Sequence, residues 1–332
     1  MRRLLLWSGL AGIIGLVVAA LVLYQLTWAA RQPQNVVRLE IKQGTSLSRV
    51  AQDLETSGVI NSAFGIKLVA RLQRPGQQIQ AGTYLFNHAA TPVEVLDRLI
   101  RGDVEKVSLT IPEGFTLDQV LERIAAAGFG DLNELRRLAH DSDFIISLQL
   151  EGDSLEGYLF PETYVFAPGI DERAILTMFV NEYRRNLDPS LLADAVKVGL
   201  NPRQLVILAS IIEKETGEVS EMPLISSVFH NRLKRRIPLQ TDPTVIYGIE
   251  NFDGNLTRKH LITPSPYNTY LNRGLPPGPI ANPGLAALMA AARPATTKYL
   301  YFVARGDGTH QFSRTLVEHN AAVRKYQLRR KR

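Results

Sequence analysis

From Leu4 to Leu23 the chain runs twenty residues without a charge. As a helix rising about 1.5 Å per residue, that run spans a hydrocarbon layer of roughly 30 Å. Trp7 lies near one end and Tyr24 with Trp28 near the other, the levels at which amphipathic rings rest in a bilayer, and Arg2, Arg3 and Arg31 bracket the run. Its length argues for an uncleaved anchor over residues 1–30 rather than a signal peptide, whose apolar region is only about 7 to 15 residues. Arg31, Arg38 and Lys42 offset Arg2 and Arg3 in the charge balance that sets orientation, and the large C-terminal body is expected outside the cytoplasm.

After a short linker at 31–35 the period changes. Val37-x-Leu39-x-Ile41-x-x-Gly44-x-x-Leu47-x-x-Val50 recurs as Val107-x-Leu109-x-Ile111-x-x-Gly114-x-x-Leu117-x-x-Val120. Each copy alternates apolar residues with period two, turns at glycine, then takes helical spacing behind a Ser or Thr able to cap. Between the copies, residues 81–86 predict a strand and Thr91 with Pro92 opens a helix to Ile100. Residues 36–125 are therefore expected to form a small α+β region with two related halves. A strand, turn and helix with such a glycine resembles LysM-type glycan-binding modules, with a generic scaffold as the alternative.

Residues 126–332 are expected to form a second, mixed α/β domain. Helical spacing continues to about residue 200, broken by the aromatic segment from Gly157 to Tyr164 around Pro161. Pro202 to Thr216 is apolar on nearly every face and predicts a buried helix. Beyond Leu233 proline and glycine become denser, as in Leu275-Pro276-Pro277-Gly278-Pro279, and predict ordered loops shaping a groove.

Composition narrows the chemistry. With 332 residues the chain exceeds what one core fills, and 45% hydrophobic with 21% charged residues excludes wholesale disorder. The net charge of +6 points to an anionic neighbour without choosing one; part of it sits in the tail Arg329-Arg330-Lys331-Arg332, expected to be solvated. The absence of cysteine removes disulfides, thiolate nucleophiles and cysteine metal sites. The six histidines show no ligand spacing, so no metal is expected, and neither a G-x-S-x-G elbow, a phosphate loop nor a nucleic-acid motif is present.

The buried helix ends in Glu213-Lys214-Glu215-Thr216. Glu213 continues the row Val206, Ala209, whereas Glu215 continues Leu205, Leu208, Ile212, so the two acids point to different sides and Glu215 extends an apolar stripe. A carboxyl held there has its charged form disfavoured and its pKa raised toward the range of a general acid. Gln240-Thr241-Asp242-Pro243-Thr244 and Tyr267-Asn268-Thr269-Tyr270 offer aromatic faces beside hydrogen-bonding groups, both of which sugars need. The plainer alternatives are a solvated helix-end glutamate and two ordinary turns.

These segments, with Ala209-Ser210-Ile211-Ile212 before the acids, Val245-Ile246-Tyr247-Gly248, Leu155-Glu156-Gly157-Tyr158-Leu159-Phe160-Pro161, Gly274 to Ile280, Tyr299 to Val303 and His319-Asn320, closely resemble the endolytic murein transglycosylase family, also termed MltG or YceG-like. The resemblance covers nearly the whole chain. It implies a single-pass membrane protein with a LysM-like region and a catalytic domain facing the wall, needing no cofactor. Such a protein cuts nascent glycan strands internally, leaves 1,6-anhydro-N-acetylmuramic acid ends and terminates elongation, in partnership with peptidoglycan synthases. The family's catalytic glutamate falls on Glu215; Gln240, Asp242, Tyr267, Asn268 and Tyr270 are expected to position substrate. Where the family implies an acid-arginine pair after Thr216, this chain has Glu221-Met222. The rival readings are a muramidase using Asp242 or Glu162 as a second carboxylate, and a non-catalytic wall-binding scaffold.

Overall fold

A computed structural model describes residues 2–105, 107–166 and 169–328, with side chains from Ile13 to Gln327 within that range. The basic tail at 329–332, and the side chains of Arg2, Arg3 and Trp7, lie outside the described residues. The chain is mixed α+β, helices with small two-stranded sheets, and divides into two compact units: Met1–Ser108 with Val165–Gly169, and Leu109–Tyr164 with Ile170–Arg332.

Unit 1 begins with α1 (Arg2–Thr27). From Ile13 to Tyr24 its side chains are exposed on every face, Leu16, Val17, Leu21 and Leu23 among them. Among the described residues no single helix is long and apolar enough to cross a membrane, the described apolar stretch being Ile13–Thr27. The end of α1 is tied down: Arg31 and Ala90 exchange backbone hydrogen bonds at 3.1 and 3.2 Å, and the Arg31 guanidinium donates to the Ile60 carbonyl at 3.0 Å. Next come β1 (Val37–Ile41), α2 (Leu47–Thr56), α3 (Ala63–Gln73), β2 (Gly82–Phe86) and α4 (Pro92–Arg101). β1 and β2 pair antiparallel with Leu39 opposite Tyr84. Ile41, Val50, Leu54, Tyr84, Phe86 and Leu99 close the core. Thr91 caps α4 in a box with Glu94, as the Thr-Pro signal predicts.

The second copy of the repeat forms β3 (Val107–Thr110) and α5 (Leu117–Ala126), again strand, glycine turn and helix, with Gly44 and Gly114 at φ of 82° and 74°. α5 belongs to unit 2. Glu156, only 4% exposed, accepts the free Leu117 N–H at its start with both carboxylate oxygens, at 2.9 and 3.0 Å. Behind it follow α6 (Leu132–Ala139), α7 (Ser142–Ser147), β4 (Thr163–Phe166), which pairs with β3, α8 (Glu172–Asn186) and α9 (Pro189–Lys197).

The centre of unit 2 is α10 (Pro202–Glu215), started by an Asn201 and Gln204 capping box with Pro202 in the first turn. Every residue from Leu205 to Ile212 is buried. α11 (Met222–Lys234) and the alanine-rich α14 (Leu285–Ala292) pack against it, the small side chains of α14 allowing close approach. Between them lie the short α12 (Asp242–Tyr247) and α13 (Arg258–Ile262) in loops rich in proline and glycine. β5 (Tyr301–Ala304) and β6 (His310–Ser313) form an antiparallel hairpin covered by α15 (Leu316–Val323).

Candidate active site

α10 stops at Glu215 because Thr216 turns extended, at φ −150° and ψ 140°, and the last side chain of the apolar stripe emerges into a cleft of about 540 Å³. One wall holds Gln240, Asp242 and Tyr270; the facing β-hairpin and α15 contribute Tyr301, His310 and His319. Burial, with the nearby Asp242 charge, pushes the Glu215 carboxyl up to about 7, against the hydroxyl of Thr241 and the charge of Arg232 pulling it down. A carboxyl at that value is half protonated near neutral pH and can both give and take a proton.

The loop before α12 is shaped to present a donor to this carboxyl. Thr241 Oγ1 donates to Glu215 Oε1. The Thr241 N–H donates to Thr269 Oγ1 at 3.1 Å, Thr244 Oγ1 donates to the Thr241 carbonyl at 2.8 Å, and the Thr244 and Thr269 hydroxyls meet at 2.8 Å. All three threonines are buried, so the hydroxyl of Thr241 is held rather than free to rotate into water. Gln240 takes a positive φ of 52°, fixed by its N–H on the Thr269 carbonyl at 3.1 Å. Asp242 opens α12 and accepts the Tyr270 hydroxyl at 2.6 Å.

Arg232 ties the two walls together from α11. It is 7% exposed and donates to the carbonyls of Leu300, Pro238 and Leu239 at 2.7, 3.0 and 2.9 Å and to Gln240 Oε1 at 3.2 Å. Its guanidinium lies 5.1 Å from the Tyr301 ring centre, and the His319 ring stacks with the same tyrosine at 5.2 Å, 24° from parallel. Burial together with the Arg232 charge lowers the His319 pKa, which favours the neutral ring.

Of the residues expected to meet substrate, Glu215, Gln240, Asp242 and Tyr270 share the cleft; Tyr267 and Asn268 sit elsewhere. Asn268 is fully buried and its amide donates to the carbonyls of Leu261 and Thr263 at 3.1 and 2.8 Å while its oxygen accepts the Tyr270 N–H at 3.0 Å. It therefore fixes the loop that carries Thr269 and Tyr270. Tyr267 lines a separate pocket with Glu156, Arg203 and Pro277, its ring 4.9 Å from that of Tyr247. Glu162 is exposed outside the cleft, its carboxylate accepting the neighbouring Thr163 N–H at 2.8 Å.

Two other carboxyls are raised by burial. Glu156 is lifted to about 7, but the Leu117 N–H, the Tyr247 hydroxyl and the Asn282 amide surround it. Glu213 accepts the Gly284 N–H at 3.0 Å and points away from Glu215, as the helical rows predict. Both hold the fold together. Glu221 pairs with His310: it accepts the backbone N–H at 3.0 Å and faces Nδ1 at 2.7 Å, fixing the start of β6 beside the cleft. Sequence reasoning missed Arg232, and it named Thr241 among the hydrogen-bonding groups of its segment without its contact to Glu215. Arg232 had a readable signal, because it continues the buried row Ile225, Val228, Phe229 on α11 just as Glu215 continues one on α10.

The model of the YceG-like family matches residues 39–325. An endolytic murein transglycosylase of Bacillus subtilis is 33% identical over 312 residues, 89% of this chain and 86% of that protein. One of Streptococcus pneumoniae is 27% identical over 303 residues, 82% of this chain and 54% of that longer protein. A crystal structure of a YceG-like protein from Listeria monocytogenes superposes with a TM-score of 0.61 at 33% identity, covering 86% of this chain and 98% of that one. The chain belongs to the YceG-like family.

Proposed function

We propose that this protein is an endolytic peptidoglycan transglycosylase that cuts glycan strands between N-acetylmuramic acid and N-acetylglucosamine and leaves 1,6-anhydro ends. The observation that carries this reading is Glu215, a carboxyl at about 7 whose helix delivers it to a cleft lined by aromatic and hydrogen-bonding side chains. The relatives named endolytic murein transglycosylases supply the substrate class.

Glu215 begins protonated and gives its proton to the bridging oxygen as the glycosidic bond breaks. The carboxylate so formed takes the proton of the C6 hydroxyl of the same muramic acid residue while O6 bonds to C1. The acid is regenerated and no water enters. One carboxyl serves both steps, where a hydrolase pairs two. Thr241 stabilises the carboxylate between the steps, and Gln240, Asp242 and Tyr270 hold the sugar. Residues 4–23 anchor the chain in the membrane by one pass, supported by the uncharged run and by apolar side chains exposed around α1 from Ile13 onward. The body then acts outside the cytoplasm, with residues 36–125 as a LysM-like region, ending the growth of nascent strands beside the synthases that make them.

The test is incubation of uncrosslinked glycan strands with the wild type and with Glu215→Gln, the products read by mass spectrometry. Anhydro-ended internal fragments are expected from the wild type and a loss of roughly 100-fold or more in the variant, the scale of a lost general acid. Cleavage that survives in Glu215→Gln, or strands that bind and stay intact in the wild type, would contradict the reading.

A further inference from the structure

We infer that α3 is an interfacial helix that lies on the anionic phospholipid surface at the outer end of α1; this rests on the reading of α1 as the membrane anchor. The junction between the two helices carries the argument. Gly65 of α3 meets the Leu26 carbonyl so closely that an added Cβ would overlap it. Carbonyls in the last turn of a helix point along its axis, beyond its C-terminus. α3 therefore crosses the end of α1, and the face that bears Gly65 looks back along α1 toward the bilayer.

Gly65 itself is covered by α1 and Leu68 is half-buried, but beside them the face is apolar and open at Phe64 and Leu72. Leu68 and Leu72 follow Gly65 at helical spacing, and Phe64 adjoins them one turn from Leu68. Phe64 is 61% exposed and Leu72 71%, while Ile66 and Val69 on the other side of α3 are buried in the core. Tyr24 and Trp28, both half exposed, stand at the same end of α1. Lys67 and Arg71, one turn apart, flank the apolar stripe and are exposed. Apolar side chains on one face with basic ones beside them suit burial at the boundary of headgroups and acyl chains, the ammonium and guanidinium reaching lipid phosphates. The fixed junction gives this contact its effect: Arg31 bridged to Ala90, its guanidinium on the Ile60 carbonyl and Asn61 on the Ala29 carbonyl leave no loose hinge between α1 and the rest of unit 1. The part of unit 1 that carries α3 is thereby held against the membrane.

The chain contains no cysteine, so single cysteines can be placed in the full-length protein and labelled with an environment-sensitive fluorophore. The variants are Leu21→Cys, Phe64→Cys and Leu72→Cys, reconstituted in phosphatidylcholine vesicles with and without phosphatidylglycerol. Quenching by acyl-chain nitroxide lipids at position 21, and by headgroup-level nitroxide lipids at 64 and 72, is the expected result. Adding phosphatidylglycerol should at least double the quenching at 72, and Lys67→Glu with Arg71→Glu should abolish that gain. Lipid quenching at 21 with only water-phase quenching at 64 and 72 overturns the inference and leaves the anchor standing. Water-phase quenching at 21 removes the anchor reading and this inference with it. Equal quenching at 72 in both lipid compositions overturns the assignment to an anionic surface.

Discussion

Burial and three neighbours act on Glu215 in two directions. Burial and the Asp242 charge favour its neutral form; the Thr241 hydroxyl and the Arg232 charge favour the carboxylate. In the proposed mechanism cleavage starts from the protonated acid, so kcat/KM should fall as pH rises through about 7. Thr241→Val removes a donor to the carboxylate, so its pKa rises and the alkaline limb of the profile moves to higher pH. Asp242→Asn removes a like charge, so the limb moves to lower pH. Opposite displacements in the two variants, measured with one strand preparation, are the expected outcome. Shifts of the same sign, or an unmoved limb, would mean that another group sets it. The contact of Thr241 with Glu215 was not legible in the sequence, because the position of this threonine depends on Thr269, far along the chain. That Asn268 turns inward was hidden for a related reason: a loop has no period, so Tyr-Asn-Thr-Tyr does not reveal which side chains are buried.

At the scale of elements, Glu156 is a fastener for unit 2. It joins the start of α5, the end of α12 through Tyr247 and the Asn282 loop ahead of α14. Burial raises it to about 7, well above an unfolded glutamate. The native state therefore holds the proton through an interval in which the unfolded chain has lost it. No penalty exists below the unfolded pKa; it grows as pH rises and is complete above about 7, reaching roughly 3 kcal/mol. Glu156→Gln keeps the neutral shape, and chemical denaturation at pH 5 and pH 8 should show a smaller loss of stability in the variant than in the wild type. Equal losses would assign the burden to other groups. Elements with their own local signals were readable: the capped α4, the apolar α10 and the two strand-turn-helix copies all form as the spacing predicts. The grouping of those copies was not readable, since α5 is recruited to unit 2 by Glu156, a contact from outside the repeat.

For the whole molecule, the proposal is of a membrane-tethered enzyme that cuts glycan without water. The proposed chemistry depends on a single acid and an internal nucleophile, and heavy-oxygen water tests it most directly. Strands are cleaved in water enriched in the heavy isotope and the new muramic acid ends are weighed. Ends lighter than a reducing sugar by one water, with no isotope incorporated, are the predicted result. Reducing ends that carry heavy oxygen would show that solvent attacks C1, and would make the protein a hydrolase with Asp242 the first candidate for its second carboxylate.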